Sequence, residues 1–231
     1  MRNVHPRQHV VVLTGAGISA ESGLRTFRDS GGLWEGFRVD DVATPEAWEL
    51  NPELVLEFYN QRRRAMHSAL PNAAHIALAA LEDRYEVSII TQNVDDLHER
   101  AGSTSILHLH GELSKARSTV THATFSLSGD SITLGDCCPS GGQLRPHIVW
   151  FGEPVPLLKD AAQITASADI FIIIGTSLAV YPAASLVEFT PIHCRRYLVD
   201  PGDSFSALPP DVTILKKTAT KGLPELIAQY L

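Results

Sequence analysis

Five apolar runs constrain the fold of this chain more than any other feature. They are Val10-Val11-Val12-Leu13, Val87–Thr91, Ile106–Leu109, Ile170-Phe171-Ile172-Ile173-Ile174 and Tyr197–Val199. The fourth has no polar residue at all. A strand that is apolar on both faces must be covered on both faces, which is the habit of parallel sheets. Segments with helical spacing stand between the runs: Pro52–Leu70, Asn72–Arg84, Pro182–Phe189 and Leu223–Leu231. This alternation predicts an α/β fold, a parallel sheet with helices on both faces. Two stretches fall outside it. Residues 34–71 read as a helical insertion. Residues 111–147, rich in Ser, Thr and Gly, read as a separate small module.

Composition excludes several classes. At 231 residues and 44% hydrophobic, the chain suffices for one large core with a satellite module. The net charge is −7 and the densest basic run is Arg62-Arg63-Arg64, so no nucleic-acid surface is expected. No apolar run is long enough to span a bilayer. Val10–Leu13 is too short for a signal peptide and meets a glycine turn at once. Only nine residues precede Val10, so no regulatory arm is expected. Three cysteines make no disulfide framework, and a cytoplasmic monomer is expected.

The strand ends carry the chemistry, because open parallel sheets bind ligands there. Val10–Leu13 runs into Gly15-Ala16-Gly17-Ile18-Ser19-Ala20-Glu21-Ser22-Gly23. A glycine turn opening a helix leaves N–H groups free for a phosphate and lets backbone approach it. The spacing is neither Gly-x-Gly-x-x-Gly nor a Walker loop, and a plain strand–turn–helix would also explain it. Thr91-Gln92-Asn93-Val94-Asp95-Asp96-Leu97-His98 offers amides and a carboxylate to ribose or carboxamide groups. Asn93 or Asp95 capping a helix is the structural alternative. In His108-Leu109-His110-Gly111, a strand would put both histidines on one face, and His110 suits a general base. A purely structural histidine is the alternative. Gly175-Thr176-Ser177 again places glycine and hydroxyls at a strand end, where an ordinary turn is the alternative. So many polar, glycine-containing strand ends together favour a nucleotide site.

These segments, with Phe27-Arg28 and Val149-Trp150-Phe151-Gly152-Glu153, resemble the sirtuins, NAD-dependent protein lysine deacylases. They stand in the family's order, cover nearly the whole chain, and resemble most the bacterial, CobB-type, class III-like members. The resemblance implies a Rossmann-like NAD-binding domain (1–33, 72–110 and 148–231) and a small domain (34–71 and 111–147). It implies pyrophosphate on Gly15–Gly17, Thr176 and Ser177. Phe27 and Arg28 would close over the nicotinamide end. Asn93 and Asp95 would hold the carboxamide and ribose, beside Gln92. Glu21, Trp34, Gly175, Asp200 and Ala219 would complete the cofactor site. The acyl-lysine oxygen would attack the ribose carbon bearing nicotinamide, and His110 would take a proton from a ribose hydroxyl. Products would be nicotinamide, free lysine and O-acyl-ADP-ribose. The substrate, an acylated protein or peptide, would add as a strand between Gly152-Glu153 and Ala179-Val180-Tyr181. Trp150 and Phe151 would line the acyl tunnel, or simply pack in the core.

Tyr59 and Arg62, three apart, share a helix face and suit a carboxylate. Read from the residues alone, they are a solvated basic face, as Arg63 and Arg64 are expected to be. The resemblance instead implies a pocket for succinyl and malonyl as well as acetyl, with Ala43 as the small residue that widens it. The family's structural zinc is held by two Cys-x-x-Cys pairs. Here Ser118, Thr121 and Ser140 replace three of them and only Cys137 fits, so no zinc is expected. A makeshift site from His122, Cys137 and Cys138 is the alternative. Asp200 stands where the family has asparagine near the adenosine ribose. Mono-ADP-ribosyl transfer and a non-catalytic NAD-binding protein are the competing functions.

Overall fold

The computed structural model describes residues 7–25, 33–34, 36–203, 205 and 208–231, with the side chains of residues 33 and 34 outside that description. In chain order the strands are β1 (His9–Thr14), β2 (Leu33–Trp34), β3 (Phe37–Arg38), β4 (Glu86–Thr91), β5 (Ile106–His108), β6 (Gly111–Ser118), β7 (Thr124–Ser126), β8 (Leu144–Ile148), β9 (Ile170–Ile174), β10 (Arg195–Val199) and β11 (Thr213–Leu215). The helices are α1 (Gly17–Ala20), α2 (Val39–Val42), α3 (Pro45–Leu50), α4 (Pro52–Ser68), α5 (Ala73–Leu81), α6 (Leu97–Ala101), α7 (Leu158–Thr165) and α8 (Ala219–Tyr230), with a 3-10 helix at Ala183–Phe189.

A six-stranded sheet, ordered β11-β10-β9-β1-β4-β5 and parallel throughout, is the frame. The chain starts in the middle, builds outward through β4 and β5, then returns to build the other half from β9. This is the Rossmann strand order, and its switch point lies between β1 and β9. Alternate residues of each strand feed opposite cores. Val10, Val12, Ile170 and Ile172 pack under α5 and α8 with Leu78, Leu223 and Leu226. Val11, Leu13, Phe171 and Ile173 pack under α7 and the 3-10 helix with Ala161 and Leu186. Apolar burial on two faces explains why these strands read as continuous apolar runs.

The second unit is built from both stretches that broke the alternation. β7-β6-β8 form a three-stranded antiparallel sheet. α4 packs on it, and Val55, Phe58, Tyr59 and Met66 share one cluster with Leu113, Ile148 and Trp150. Asn51 caps α4 through the Leu54 N–H, with Pro52 behind it in the first turn.

Several expectations change. The segment expected as a helix over Pro182–Phe189 is a 3-10 helix at Ala183–Phe189, and α8 begins at Ala219, a turn before Leu223. β11 and α7 were not read from the sequence, β11 because three residues carry no period. Arg63 is not on a solvated face. It is fully buried, with Nε donating to Leu113 O at 2.7 Å and Nη1 to Asn60 Oδ1 at 2.8 Å. One step along a helix turns the side chain by about 100°, which carries Arg63 from the cleft side under β6. Burial lowers its pKa to about 10. Arg64 is exposed and paired with Glu57, as expected.

Candidate active site

The two strand ends at the switch point touch. Gly15 N–H donates to Ile174 O at 3.0 Å and Gly17 N–H to Gly175 O at 2.9 Å. A Cβ on Gly17 would lie 2.6 Å from Gly175 Cα, and one on Gly15 would lie 2.7 Å from Thr176 Cβ. Gly175 has φ +63°, and its Cβ would meet Ile18 N at 2.4 Å. The glycines therefore serve first to let two turns lie backbone to backbone. This corrects the expectation of free N–H groups at a helix start. α1 is a single turn of four residues, and its first N–H groups are bonded within the fold.

Around this contact lies one open cleft of about 1260 Å³. Gly15, Ala16, Gly17, Glu21, Gln92, Asn93, Asp95, His110, Gly175, Thr176, Ser177 and Asp200 border it on the sheet side. Ala43, Tyr59, Arg62, Trp150, Phe151, Gly152, Glu153, Val180 and Tyr181 border it too. Three expected residues are not placed there. Phe27 and Arg28 lie outside the described residues, as does the side chain of Trp34. A fourth, Ala219, is buried in the core, and its neighbour Thr218 borders the cleft instead. Glu21 also ties the structure together: its carboxylate accepts from the N–H and hydroxyl of Thr220 in the first turn of α8.

At the end of β4, Asn93 Nδ2 donates to Gly15 O at 3.1 Å and to Ser19 Oγ at 3.2 Å. Ser19 Oγ in turn donates to Asp95 Oδ2 at 3.0 Å, and Leu97 N–H reaches Asp95 Oδ1 at 3.2 Å. Asp95 thus braces the turn into α6 from one residue before its N-cap, Asp96, and borders the cleft as well. Burial raises its pKa, opposed by these donors. Ser19 is the residue that sequence reasoning missed, although it sits in the quoted turn. Its hydroxyl joins that turn to the carboxylate. Beneath, Thr14 Oγ1 donates to Thr91 Oγ1 at 2.8 Å, and Asn93 N–H donates to the same Thr91 oxygen at 3.0 Å.

His110 Nδ1 lies 3.2 Å from Gln92 O. A carbonyl only accepts, so Nδ1 carries the proton and Nε2 is the basic nitrogen. Burial lowers the His110 pKa, the Gln92 carbonyl opposing it. The neutral base form therefore prevails near pH 7. His108 does not share its face. β5 ends at His108, whose Nε2 contacts Glu99 Oε1 at 2.6 Å and which borders a separate cavity of about 350 Å³. Gly111, at φ +87°, ends the alternation, and a Cβ there would lie 2.0 Å from His147 O.

Elsewhere along the cleft, Tyr59 is fully buried and Arg62 half-buried, the guanidinium 5.8 Å from the Phe58 ring centroid. Burial raises the Tyr59 pKa, and Arg62 opposes this. Glu153 is held within the fold. Its carboxylate takes Arg145 in a fork at 2.8 and 3.1 Å, Arg117 at 3.1 Å and the Trp150 N–H at 2.8 Å.

In the small module, Ser118 Oγ accepts from Val120 N–H at 3.2 Å and Thr121 N–H at 3.1 Å, and from Cys138 Sγ at 3.2 Å. Cys138, not Cys137, turns in toward Ser118. Cys137 is exposed, so the sequence register chose the wrong cysteine. Among the described residues no three His, Cys, Asp or Glu side chains converge as metal ligands, and His122, Cys137 and Cys138 do not come together. One thiol among hydroxyls does not fit a zinc ion. A hydrogen-bonded hydroxyl links the two turns instead.

A sequence profile described as Sir2 family matches residues 15–182. The chain is 50% identical over 224 residues to an NAD-dependent protein deacylase of Helicobacter pylori (strain J99), covering 97% of this chain and 96% of the relative. It is 48% identical over 225 residues to one from Bacteroides thetaiotaomicron, covering 95% and 96%. Among solved structures, a mutant Sir2 homologue complexed with ADP-ribose superposes with a TM-score of 0.88 at 38% identity, covering 96% of this chain and 91% of that one. A Sir2 homologue–NAD complex superposes with a TM-score of 0.85 at 38% identity, covering 96% and 89%.

Proposed function

The chain belongs to the Sir2 family and is an NAD-dependent protein deacylase, and from that premise we propose that it removes succinyl and malonyl groups as well as acetyl from lysine. The observation that carries this reading is the joining of two chemistries in one cleft. The Asn93–Asp95–His110 group and the Tyr59–Arg62 pair border the same cleft.

The residues at the switch point fit NAD. The cleft, at about 1260 Å³, exceeds the ~300–1,000 Å³ usual for one small ligand, leaving room for a dinucleotide and an acyl chain. Its sheet side offers hydroxyls (Ser19, Thr176, Ser177), amides (Gln92, Asn93) and carboxylates (Asp95, Asp200), a donor set for ribose hydroxyls and a carboxamide. When bound, NAD supplies the ribosyl carbon that accepts the acyl oxygen, with nicotinamide leaving. Products are nicotinamide, free lysine and O-acyl-ADP-ribose. Asn93 and Asp95, locked by Ser19 and Gly15, position the carboxamide and its ribose. His110 Nε2 takes the proton of a ribose hydroxyl, its tautomer set by the Gln92 carbonyl. Arg62 and Tyr59 receive the acyl carboxylate, and Ala43 leaves room for it. The peptide lies between Gly152-Glu153 and Ala179-Val180-Tyr181, both at the cleft rim.

The same reading divides the chain into the cofactor domain (1–33, 72–110 and 148–231) and the small domain (34–71 and 111–147). It gives the small domain no zinc and makes the enzyme a cytoplasmic monomer. Among the described residues no helix is long and apolar enough to cross a membrane.

Incubation with NAD and acetyl- or succinyl-lysine peptides, followed by mass spectrometry, tests the reading. Loss of both acyl groups with matching O-acyl-ADP-ribose is expected. Loss of acetyl alone would sink the acidic-acyl part. ADP-ribose attached to protein without deacylation would sink the whole.

A further inference from the structure

The wall of the cleft around Tyr59 carries two buried groups that the fold leaves unsatisfied. The Tyr59 hydroxyl and the Trp150 indole Nε1 are sealed from water, without a hydrogen-bond partner among the described residues. Both side chains border the cleft. Buried donors without partners are costly, and at a binding cleft a ligand is what satisfies them. Tyr59 and Trp150 pack in one cluster on this wall, and the indole N–H favours the charged form of the Tyr59 phenol against the effect of burial.

What holds the indole there is unusual. Arg145 does not border the cleft, yet its guanidinium stacks on the Trp150 ring, 3.2 Å from the centroid. The same guanidinium forks onto Glu153 and donates to Ile148 O at 3.0 Å. Glu153 then accepts the Trp150 N–H at 2.8 Å. One ion pair thus fixes both the ring and the backbone of Trp150. Only a planar fork can stack and bind bidentately at once, which a lysine ammonium cannot do.

We infer that Arg145 is a positioning residue for acyl specificity: clamped on Glu153, it holds the Trp150 indole N–H against the Tyr59 oxygen and so turns the Tyr59 proton toward the end of the acyl chain. A phenol has one proton, and a donor on its oxygen leaves that proton to be given elsewhere. An acyl carboxylate beside Arg62 takes it, whereas an acetyl methyl group does not. The inference rests on the acidic-acyl reading above and adds Trp150 and Arg145 to it.

Steady-state kinetics on acetyl- and succinyl-lysine peptides test it, with Trp150→Phe, Tyr59→Phe, the double variant and Arg145→Lys. Trp150→Phe keeps an aromatic ring for the stack and removes the N–H together with part of the ring volume, a loss that both peptides feel. It is expected to raise the succinyl KM by about tenfold, and more than the acetyl KM, the size of one lost hydrogen bond. The double variant is expected to be no worse than Tyr59→Phe, because the two groups act as one unit. Arg145→Lys keeps the charge and is expected to match Trp150→Phe. Additive losses, equal losses on both peptides, or an Arg145→Lys enzyme like the wild type would each overturn the inference. Thermal melts check that every variant folds. If Arg145→Lys does not, the Tyr59–Trp150 cycle decides the contact, and Glu153→Gln, which breaks the fork that clamps Arg145, decides the clamp with the same expected outcomes. The Trp150 indole ¹H–¹⁵N resonance, identified by its loss in Trp150→Phe, gives a readout free of activity. It is expected to move in Tyr59→Phe by more than the Trp48 indole. A wild type that never removes succinyl sinks the acidic-acyl reading alone; a stationary indole resonance sinks the Trp150 contact alone.

Discussion

Replacing Gly175 with alanine sets a methyl group between the two strand ends that build the cleft. The new Cβ would lie 2.4 Å from Ile18 N, 2.6 Å from Gly17 C and 2.7 Å from Gly17 Cα. All three are backbone atoms, so no side chain can swing aside. An L-residue at the observed φ of +63° costs about 1–2 kcal/mol. Forcing a methyl into a packed contact costs about 1–3 kcal/mol more. Together about 2–5 kcal/mol is at stake. In a domain of this size ~1 kcal/mol moves the melting point by ~2–4 °C, so a loss of ~4–20 °C is expected. Some of the strain will be relieved by the turns parting. Each ~1.4 kcal/mol relieved that way, if NAD binding must restore it, weakens NAD about tenfold. Calorimetric melting and NAD titration, each run beside Gly129→Ala, measure the two shares. Gly129 has no atom within 4 Å of its Cβ position and no left-handed φ, so it reports the generic effect of the added methyl. A Gly175→Ala protein that melts and binds NAD like Gly129→Ala would refute the packing role of these glycines.

Arg62→Met is expected to cut kcat/KM for succinyl peptides by ~10–100-fold, the worth of a charge-assisted hydrogen bond, with a smaller loss on acetyl peptides. Equal losses would mark Arg62 as structural. Stability should fall on acidification below pH 6.5. Burial lowers the pKa of His75 to about 4 and that of His98 to about 3, their ring centroids 4.9 Å apart. The unfolded chain takes up their protons near pH 6.5 and the folded one does not, so stability rises with pH across this window. Each histidine contributes up to about 3 kcal/mol between pH 6.5 and 4. Urea midpoints from pH 4 to 8 check this, and a flat profile over pH 4–6.5 refutes it. His110, also lowered by burial, should keep the acid limb of kcat/KM below pH 6.5. An acid limb above 6.5 would show that another group titrates. Chelator is expected to leave the melting point unchanged, while Ser118→Ala, which strips two N–H groups and a thiol of their acceptor, should lower it by ~2–8 °C. One tightly bound zinc per chain by elemental analysis would overturn that account.

The parallel sheet was legible because burial on two faces leaves a direct mark, the unbroken apolar run of β9. The nucleotide cleft was legible because polar, glycine-bearing tips follow apolar strands. Arg63 was misread because adjacent arginines look alike in sequence, while the helix sends one to the cleft and the next under β6. Cys137 was chosen over Cys138 because spacing counts residues and cannot tell which thiol a turn rotates inward. Ala219 was assigned to the cleft on family position, and one residue of helix phase puts it in the core.

Local patterns, then, determined the kind of sheet and the order of the polar groups at its strand ends, because each depends on neighbours a few residues away. Tertiary structure decided what those groups do to one another. Thr14, Gly15 and Ser19 meet Thr91, Asn93 and Asp95, and Gly17 meets Gly175, only when β1, β4 and β9 lie side by side. The same juxtaposition fixes the protonated nitrogen of His110 and sets Arg145 behind Trp150. Hydrogen bonds and burial act over a few ångströms between residues far apart in the chain, and no local pattern records that distance.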